Sequence, residues 1–333
     1  MTPSASGGGG LPEVVSSATI RRMRGPKQPV DPWRPLLVLD EKEVAEPGIA
    51  VACRVILLAG AECPYTCAMC DLWRHTLDGP TPAGALPAQI ETALAMAPDP
   101  LIGTPAWVKL YNASNFTDRR AVPEADLPRI AALVAGFERV IVETHPRLVD
   151  ASLSRFAATL AGRLEVALGL ETVDRRFLPW LNKQMTPEDF AAACGRLLDD
   201  GIDARAFVLL GLPEATEQAS IDAAIDAARF AAEAGCRHVS LIPTRAGNGL
   251  LDRLAAEGRF APVSATAAEA ALAGAIATLP SACVVTLDLW DWERMGGLCE
   301  RCRDLRRGRI DRMNLSRALA PPSSLDCGCR HGV

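Results

Sequence analysis

Six apolar, β-branched runs alternate with helical segments from about residue 50 onward, and this alternation restricts the chain to few folds. The runs span residues 51–59, 106–111, 139–143, 164–170, 204–210 and 238–242. Runs without a polar face are typical of parallel strands covered by helices. Because six βα units are fewer than the eight of a closed barrel, the sequence predicts an α/β fold, a partial, TIM-like (βα)6 barrel. Its functional residues should lie at the C-terminal ends of the strands.

The segments on either side of the barrel differ from it in composition. Residues 1–48 are predicted to form a partly disordered N-terminal arm, in which a glycine run at 7–10 precedes basic residues interrupted by prolines. Residues 49–282 form the predicted barrel, and residues 283–333 a small C-terminal cysteine-rich module. The basic arm is compatible with a solvated tail or with a contact to RNA phosphates.

Length, charge and cysteine content limit the classes of function that the chain could have. A chain of 333 residues is long enough for one large barrel with appendages. Its net charge of −5 argues against broad, nonspecific nucleic-acid binding but is compatible with a local basic patch. Eleven cysteines and no apolar leader indicate metal ligands in a reducing cytoplasm rather than disulfides. No apolar stretch reaches the roughly 18–20 residues that span a bilayer, so no membrane association is expected.

Three of the cysteines lie in one short loop directly after the first predicted strand. Three residues separate Cys63 from Cys67, and two separate Cys67 from Cys70. Three thiolates at this spacing can bind three irons of a [4Fe-4S] cube, whereas an electron-transfer cluster is closed by four cysteines. The fourth iron then keeps a coordination position for a small molecule. A zinc site or a disulfide framework is the alternative interpretation.

A second group of cysteines lies near the C-terminus. Cys299 and Cys302 form a CxxC pair, and Cys327 and Cys329 form a CxC pair. Four thiolates are what a tetrahedral structural zinc site requires. An auxiliary iron–sulfur cluster and unliganded cysteines are the alternatives. The arginines between the pairs form either a solvated face or an RNA-binding patch; they are Arg303, Arg306, Arg307, Arg309, Arg312 and Arg317.

Polar residues follow the second, third and fourth predicted strands. A carboxylate at the end of a buried strand needs a partner, because an unpaired buried charge is costly. These side chains are therefore candidates for ligand or substrate contacts, with ion pairs and turns as the structural alternatives. They are Asn112, Ser114 and Asn115 after the second strand, Glu143 and His145 after the third, and Glu171 after the fourth.

The spacing of the three cysteines resembles the signature of the radical S-adenosylmethionine (SAM) superfamily. Further segments resemble its Elp3-like group, and within that group the archaeosine synthase radical SAM subunit. The segments that carry the resemblance are 63–70, 109–118, 143–146, 169–174, 181–184, 239–244 and 299–329. The resemblance implies the open βα barrel, a [4Fe-4S] cluster on Cys63, Cys67 and Cys70, and SAM bound through the open iron.

The resemblance also implies contacts to the methionyl and ribose parts of SAM. Asn112, Ser114 or Asn115 would bind the methionyl part, where the family often has a glutamate. Glu171 would meet the ribose hydroxyls or the amino group. Arg205 would pair with the SAM carboxylate, because a guanidinium can donate two parallel hydrogen bonds to a carboxylate.

Two further residues are implied at the adenine of SAM. Met69, just before the last cysteine, would pack near the base, with gap filling in the core as the alternative. Gly211 begins a segment, 211–214, whose backbone and apolar side chains would pack on the same base. Ordinary packing at a strand end is the alternative for this segment.

For function, the resemblance implies an enzyme in which reductive cleavage of SAM gives methionine and a 5′-deoxyadenosyl radical that abstracts hydrogen from a substrate. In the archaeal relative the substrate is a lysine-bearing 7-deazaguanine in tRNA, and a C–N bond breaks. Expected partners are therefore tRNA and a reductant protein of flavodoxin or ferredoxin type. The alternatives are a radical SAM enzyme acting on a small molecule or peptide, and a noncatalytic zinc or iron–sulfur scaffold.

Overall fold

A single eight-stranded sheet with strands in sequential order forms the centre of the computed structural model, which describes residues 14–319. β1 runs antiparallel to β2, and every later pair of neighbours is parallel. The strands are β1 Leu37–Glu46, β2 Ile49–Leu58, β3 Trp107–Asn112, β4 Arg139–Thr144, β5 Arg163–Glu171, β6 Asp203–Leu210, β7 His238–Pro243 and β8 Val284–Leu287.

The helices cover the sheet and connect its parallel strands. The α-helices are α1 Ser17–Met23, α2 Ala85–Leu94, α3 Leu127–Leu133, α4 Ala151–Ala157, α5 Leu178–Leu181, α6 Pro187–Asp199, α7 Glu217–Glu233, α8 Leu250–Ala256, α9 Ala265–Thr278 and α10 Arg303–Ser316. Short 3₁₀ helices span Leu72–His75, Glu124–Asp126, Pro146–Leu148 and Trp292–Arg294. Between residues 14 and 319, no helix is long and apolar enough to cross a membrane.

The structure confirms the predicted α/β barrel-type fold and adds two strands to the predicted six. The predicted strands are β2 to β7. β1 lies in the segment assigned to the N-terminal arm, and β8 in the segment assigned to the C-terminal module, and both belong to the same sheet. Within the described part of the chain no ladder joins β8 to β1, so the sheet remains open. Cys327 and Cys329 and the glycine run at 7–10 lie outside the described residues.

Local sequence explains where the helices begin. Asp150 caps α4, because its Oδ1 accepts from the Ser152 amide at 2.8 Å. A reciprocal capping box opens α6: the Asp189 amide donates to Thr186 Oγ1 at 3.2 Å, and the Thr186 amide donates to Asp189 Oδ2 at 2.9 Å. These signals fix the helices that return the chain to the start of the next strand.

A buried charge network spans the start of β5 and β6. Glu165 is fully buried and accepts from Arg205 Nε at 2.7 Å, Arg139 Nη1 at 2.8 Å and Arg237 Nη1 at 3.0 Å. Arg205 also pairs with Glu43 of β1 at 2.8 Å. Burial alone would raise the pKa of Glu43, but nearby Arg205 and Lys109 outweigh it and hold that pKa well below the usual range. β1 therefore joins the rest of the sheet through charge pairs as well as its ladder to β2.

The C-terminal helix α10 covers the free edge of β8. Asn314 Oδ1 accepts a hydrogen bond from the Leu287 amide at 2.8 Å, and Asn314 Nδ2 donates to the Leu287 carbonyl at 3.0 Å. Most of the arginines in this region also have partners within the chain: Arg306 and Arg309 pair with Glu269 at 3.0 and 2.6 Å. Arg317 donates to carbonyls that include that of Cys283, at 3.0 Å. Arg307 and Arg312 remain exposed.

Candidate cluster and cofactor site

The three cysteines of the first motif lie on the loop that follows the C-terminal end of β2. Cys63, Cys67 and Cys70 are each partly exposed, and the Cys70 amide donates to the Cys67 carbonyl at 3.2 Å. In enzymes with this kind of barrel, the loops at this end of the strands carry the active site. The thiols are therefore where the fold would hold a reactive centre.

Neighbouring loops fix the backbone of the cysteine loop from two sides. Asn182, after α5, donates to the Thr66 carbonyl at 2.8 Å, and Asn248, after β7, donates to the Ala68 carbonyl at 2.7 Å. The Ala68 amide in turn donates to the Leu181 carbonyl at 2.9 Å. A loop whose peptide groups are bonded in this way keeps its side chains in place without needing a regular element.

Asn115 connects the cysteine loop to the end of β4. Its Nδ2 donates to Cys63 Sγ at 3.2 Å, and its Oδ1 accepts from the His145 amide at 2.7 Å. The His145 ring stacks on Tyr65 with centroids 3.8 Å apart, and its Nε2 lies 2.9 Å from the Lys183 carbonyl. Burial, with nearby Lys183, lowers the pKa of His145 to about 3, so this ring is neutral at physiological pH. His145 thus positions Tyr65 over the loop.

Glu171 and Lys183 form a buried ion pair at the end of β5, with 2.5 Å between Lys183 Nζ and Glu171 Oε1. Glu171 lies in a bulge of the β5–β6 ladder with φ of 67°, an uncommon conformation for a residue with a side chain. Gly169 makes room for the pair, because a Cβ there would lie 2.3 Å from both the carboxylate and the ammonium. Lys183, to which the sequence analysis gave no role of its own, also acts electrostatically on Cys67 and Cys63.

Glu143 ends β4 without an ion-pair partner among residues 14–319. It accepts from the Asn112 amide at 3.0 Å. Burial raises the pKa of Glu143 to about 8, and the Asn112 amide and Lys183 offset only part of this effect. A neutral carboxyl at the strand ends can donate a hydrogen bond as well as accept one.

The other predicted SAM contacts occupy different environments. Asn112 is buried, and its side-chain oxygen accepts from the Ser114 amide at 2.9 Å. The Ser114 hydroxyl is buried without a hydrogen-bond partner in the described part of the chain. Met69 packs against a cluster with Leu209 and Leu250. The contacts of these residues to SAM stay predictions. Among the three, Ser114 is the one whose buried side-chain polar group has no hydrogen-bond partner in the described part of the chain.

Gly211 directly follows β6 in a conformation that favours glycine. Its φ is 95°, and a Cβ at this position would lie 2.5 Å from Val263 Cγ2. The close approach of the neighbouring loop is therefore sufficient reason for a glycine here. Packing of this segment on adenine stays a prediction.

Arg205 requires a correction. The family resemblance implies a pair with the SAM carboxylate, but the Arg205 guanidinium is bonded to Glu165 and Glu43 and is 2% exposed. It pairs in register with Ala167 of β5, near the start of the strands and away from the cysteine loop. From the sequence, a buried arginine on a barrel strand is expected to pair with a carboxylate. The fold shows that the carboxylates bound by Arg205 belong to the chain itself and not to a ligand.

The residues present fit a [4Fe-4S] cluster held by three cysteines. Burial raises the pKa of Cys67 to about 11 and that of Cys70 to about 12, so the thiols ionise when a bound metal stabilises the thiolate. Asn115 adds a hydrogen-bond donor to a sulfur, a feature that tunes such clusters. Across the described residues no three His, Cys, Asp or Glu side chains converge on a single-ion site. A cube does not require such convergence, because each thiolate binds a different iron.

Part of the predicted C-terminal metal site is described. The sulfurs of Cys299 and Cys302 lie 3.6 Å apart, just before α10, and Cys302 is fully buried. Their predicted co-ligands, Cys327 and Cys329, lie beyond residue 319. The identity of a metal here stays a prediction.

The N-terminal arm packs beside the cysteine loop. Arg24 and Lys27 pair with Glu62, next to Cys63, at 2.7 and 2.9 Å. Ser17 Oγ accepts from Thr66 Oγ1 at 2.7 Å. The sequence does not predict α1, and it gives no sign that Arg24 and Lys27, which follow this helix, share Glu62 as a partner at the start of the cysteine loop.

Comparisons with known proteins give a likeness of fold. No family model matches the sequence, and no curated protein matches it significantly. Among solved structures, an N-terminally truncated Elp3 from the archaeon Methanocaldococcus infernus superposes with a TM-score of 0.51 and 15% identity. The match covers 78% of this chain and 63% of that one, so the chain spans less than two thirds of the Elp3 structure.

Two other structures are similar over a comparable part of the chain. Methylornithine synthase (PylB) has a TM-score of 0.51 and 13% identity, and the match covers 82% of this chain and 74% of that one. Coproporphyrinogen III oxidase (HemN) from Escherichia coli, a radical SAM enzyme, has a TM-score of 0.44 and 14% identity, with 79% and 55% covered. At such identities the two structures with TM-scores of 0.51 establish the barrel fold, and function must be argued from the site.

Proposed function

We propose that this chain is a radical SAM enzyme that binds one [4Fe-4S] cluster on Cys63, Cys67 and Cys70. The observation that carries the proposal is the position of these three thiols on one loop at the C-terminal ends of the barrel strands, with Asn115 bonded to one of them. When bound and reduced, such a cluster supplies the electron that cleaves SAM to methionine and a 5′-deoxyadenosyl radical, which abstracts hydrogen from the substrate.

The chain's own residues would hold the cluster, orient SAM and exclude water. Asn115 would keep its bond to the Cys63 sulfur. Tyr65, stacked on His145, would shield the loop from one side, and Trp73, which is 4% exposed, from the other. The Ser114 hydroxyl and the neutral Glu143 carboxyl would be available for polar groups of SAM, and the Lys183 ammonium, paired with Glu171, would lie close enough to act electrostatically on the thiolates.

The test is anaerobic reconstitution with iron and sulfide, followed by dithionite reduction and EPR with and without SAM. We expect a [4Fe-4S] signal that changes when SAM is added, together with formation of 5′-deoxyadenosine. Cys63→Ala, Cys67→Ala and Cys70→Ala should each abolish both. Cys53→Ala is the matched control, because Cys53 is buried in a separate apolar cluster with Trp107 and Ile141. A cluster that does not respond to SAM would contradict the proposal and favour the scaffold alternative.

We further propose an Elp3-like enzyme whose substrate is a modified nucleoside in tRNA of the lysine-bearing 7-deazaguanine type, with cleavage of a C–N bond. The support is the sequence resemblance to the archaeosine synthase subunit. Reduction would come from a protein of flavodoxin or ferredoxin type. Turnover of tRNA carrying this nucleoside, with unmodified tRNA as control, tests the proposal. Turnover of a free small molecule or a peptide instead would favour the alternative enzyme.

We propose zinc as the metal of the C-terminal cysteines. The support is the CxxC and CxC spacing and the 3.6 Å separation of the Cys299 and Cys302 sulfurs. Metal analysis of the Cys299→Ala and Cys302→Ala variants should show loss of one zinc per chain with the EPR signal retained. Loss of iron in place of zinc would indicate an auxiliary cluster.

A further inference from the structure

A cleft opens between the loop after β7 and the turn after β8. Its lining includes Thr244 and Arg245 from the first loop and Trp290, Asp291 and Arg294 from the second. The predicted cluster ligands do not contribute to this cleft.

Two tryptophans in the turn after β8 have opposite environments. Trp292 is 1% exposed, and its indole N–H donates to the Arg303 carbonyl at 3.2 Å, so it fixes the turn to the start of α10. Trp290 is 51% exposed and lines the cleft. An exposed indole on a fixed turn offers a flat apolar face for a planar ligand.

Two guanidiniums line the same cleft as this indole and share one carboxylate. Arg245 Nη1 and Arg294 Nη1 each lie 3.4 Å from Asp291 Oδ2, and Arg294 Nη2 donates to the Ala246 carbonyl at 3.0 Å. Each arginine has five N–H groups, so most of the donors remain available. The other nearby carboxyl, Asp288, accepts from the Trp290 amide at 2.9 Å. The lining therefore holds two positive charges against one negative charge.

The remaining polar group of the lining lacks a partner. Thr244 is 5% exposed, and its hydroxyl forms no hydrogen bond within the described part of the chain. The loop that carries Thr244 and Arg245 also carries Asn248. The Asn248 side chain donates to the carbonyl of Ala68, which lies between Cys67 and Met69 in the cysteine loop. A ligand in the cleft would therefore lie one loop away from the candidate cluster.

We propose that this cleft binds a nucleotide, with the base stacked on Trp290 and the phosphate held by Arg245 and Arg294. Guanidinium groups suit phosphate by their paired N–H donors, and an indole stacks on any base. The inference rests on the proposed function and gives it a substrate class, because the nucleotide would enter beside the cysteine loop. The nucleotide comes either from a free mononucleotide or from a unit within RNA.

The test is calorimetric titration of the reconstituted full-length protein with GMP, guanosine and a short single-stranded RNA, and with SAM in parallel. We expect GMP to bind more tightly than guanosine. Trp290→Ala should weaken GMP or RNA binding about tenfold, within the range expected for stacking of one base. Arg245→Gln and Arg294→Gln should reduce the affinity for GMP toward that for guanosine. Trp290→Phe should retain most of the affinity.

Two variants outside the cleft are matched controls. Trp33→Ala removes another exposed tryptophan, 49% exposed on the N-terminal segment, and Arg312→Gln removes an exposed arginine of α10. Both should bind every probe as the unaltered protein does. SAM affinity should stay unchanged in all variants.

The outcomes separate this inference from the proposed function. RNA binding that is much tighter than GMP binding, and sensitive to Trp290→Ala, supports the cleft and identifies RNA as the source of the nucleotide. No binding of GMP or RNA, or binding insensitive to both Trp290→Ala and Arg294→Gln, overturns the inference. A loss of SAM affinity in Trp290→Ala also overturns it, because the cleft then belongs to SAM. Nucleotide binding as expected without any EPR response to SAM supports the cleft and contradicts the proposed function.

Discussion

The two ends of the barrel strands hold buried charge in different ways. Near the start of the strands, Glu165 accepts from three arginines, and Arg205 bonds two carboxylates. At the C-terminal ends, Glu143 has no ion-pair partner in the described region, and the Ser114 hydroxyl has no hydrogen-bond partner there.

This difference separates groups that hold the fold from groups available to a ligand. A carboxylate with three cationic partners has little capacity for a new contact, and removing it leaves buried cations without compensation. A neutral carboxyl or a free hydroxyl at the strand ends can bind a polar group that arrives later. The comparison therefore predicts losses of stability at one end and changes of ligand binding at the other.

The largest expected effect is that of Glu165→Gln on stability. The substitution removes the charge that compensates Arg205, and breaking a buried ion pair costs about 3–5 kcal/mol. Urea unfolding should show this loss. The control is Glu188→Gln, because Glu188 and its partner Arg175 are both mostly exposed and water screens such a pair. A loss for Glu165→Gln no larger than that of the control would contradict the structural role of the network.

Gly169→Ala tests the strand ends by sterics alone. The added methyl would lie 2.3 Å from both Glu171 Oε1 and Lys183 Nζ, so the ends of both side chains must shift. We expect a loss of about 1–3 kcal/mol, as for overpacking elsewhere, together with weaker SAM binding. Gly195→Ala is the control, because Gly195 lies within α6 and a Cβ there meets nothing within 4 Å. This variant should gain up to about 1 kcal/mol, and equal effects at both glycines would refute the steric argument.

Glu143→Gln should change how stability depends on pH. The folded pKa of about 8 lies above the ordinary value of 4.5, so the folded protein holds this proton more tightly than the unfolded chain. The resulting stability is complete below about pH 4.5 and is lost as the pH rises through 8. Relative to the variant, the unaltered protein should lose about 1–2 kcal/mol between pH 5 and 8, since partial exposure reduces the full effect. Unfolding curves at both pH values test this, and parallel pH profiles would rule it out.

The smallest expected effect is that of Ser17→Ala on the N-terminal segment. The substitution removes the bonds to Thr66 Oγ1 and Asn182 Nδ2, but these two residues remain bonded to each other at 2.8 Å. We therefore expect a loss of about 1 kcal/mol and faster proteolysis near α1. Thr19→Ala, which changes another hydroxyl on the same helix, should show a smaller change in proteolysis.

The sequence predicts the parts of the fold that depend on local signals. The β-branched runs of β2 to β7 are local features, and the structure contains all of these strands. The position of the cysteine loop after the first predicted strand follows from the same signals.

The missing parts depend on pairs that are distant in sequence. β1 carries Asp40, Glu41 and Glu43, so it does not resemble a buried strand. Its charges are matched by Arg54, Lys109 and Arg205, up to 162 residues away. For the same reason the sequence does not reveal the role of Arg205, because its partner Glu165 is 40 residues away along the chain. Only the fold shows that these charges satisfy one another.

The Asn314 side chain has a consequence for how copies of this chain meet. The outer edge of β8 would otherwise offer the peptide groups of Leu287 to a strand from another molecule, and such edges are starting points for aggregation. The side-chain amide of Asn314 already forms hydrogen bonds with both the N–H and the carbonyl of Leu287. These two peptide groups are therefore not available to pair with a strand of another molecule. The same contact that attaches α10 to the barrel therefore also keeps the open sheet from growing into a neighbouring molecule.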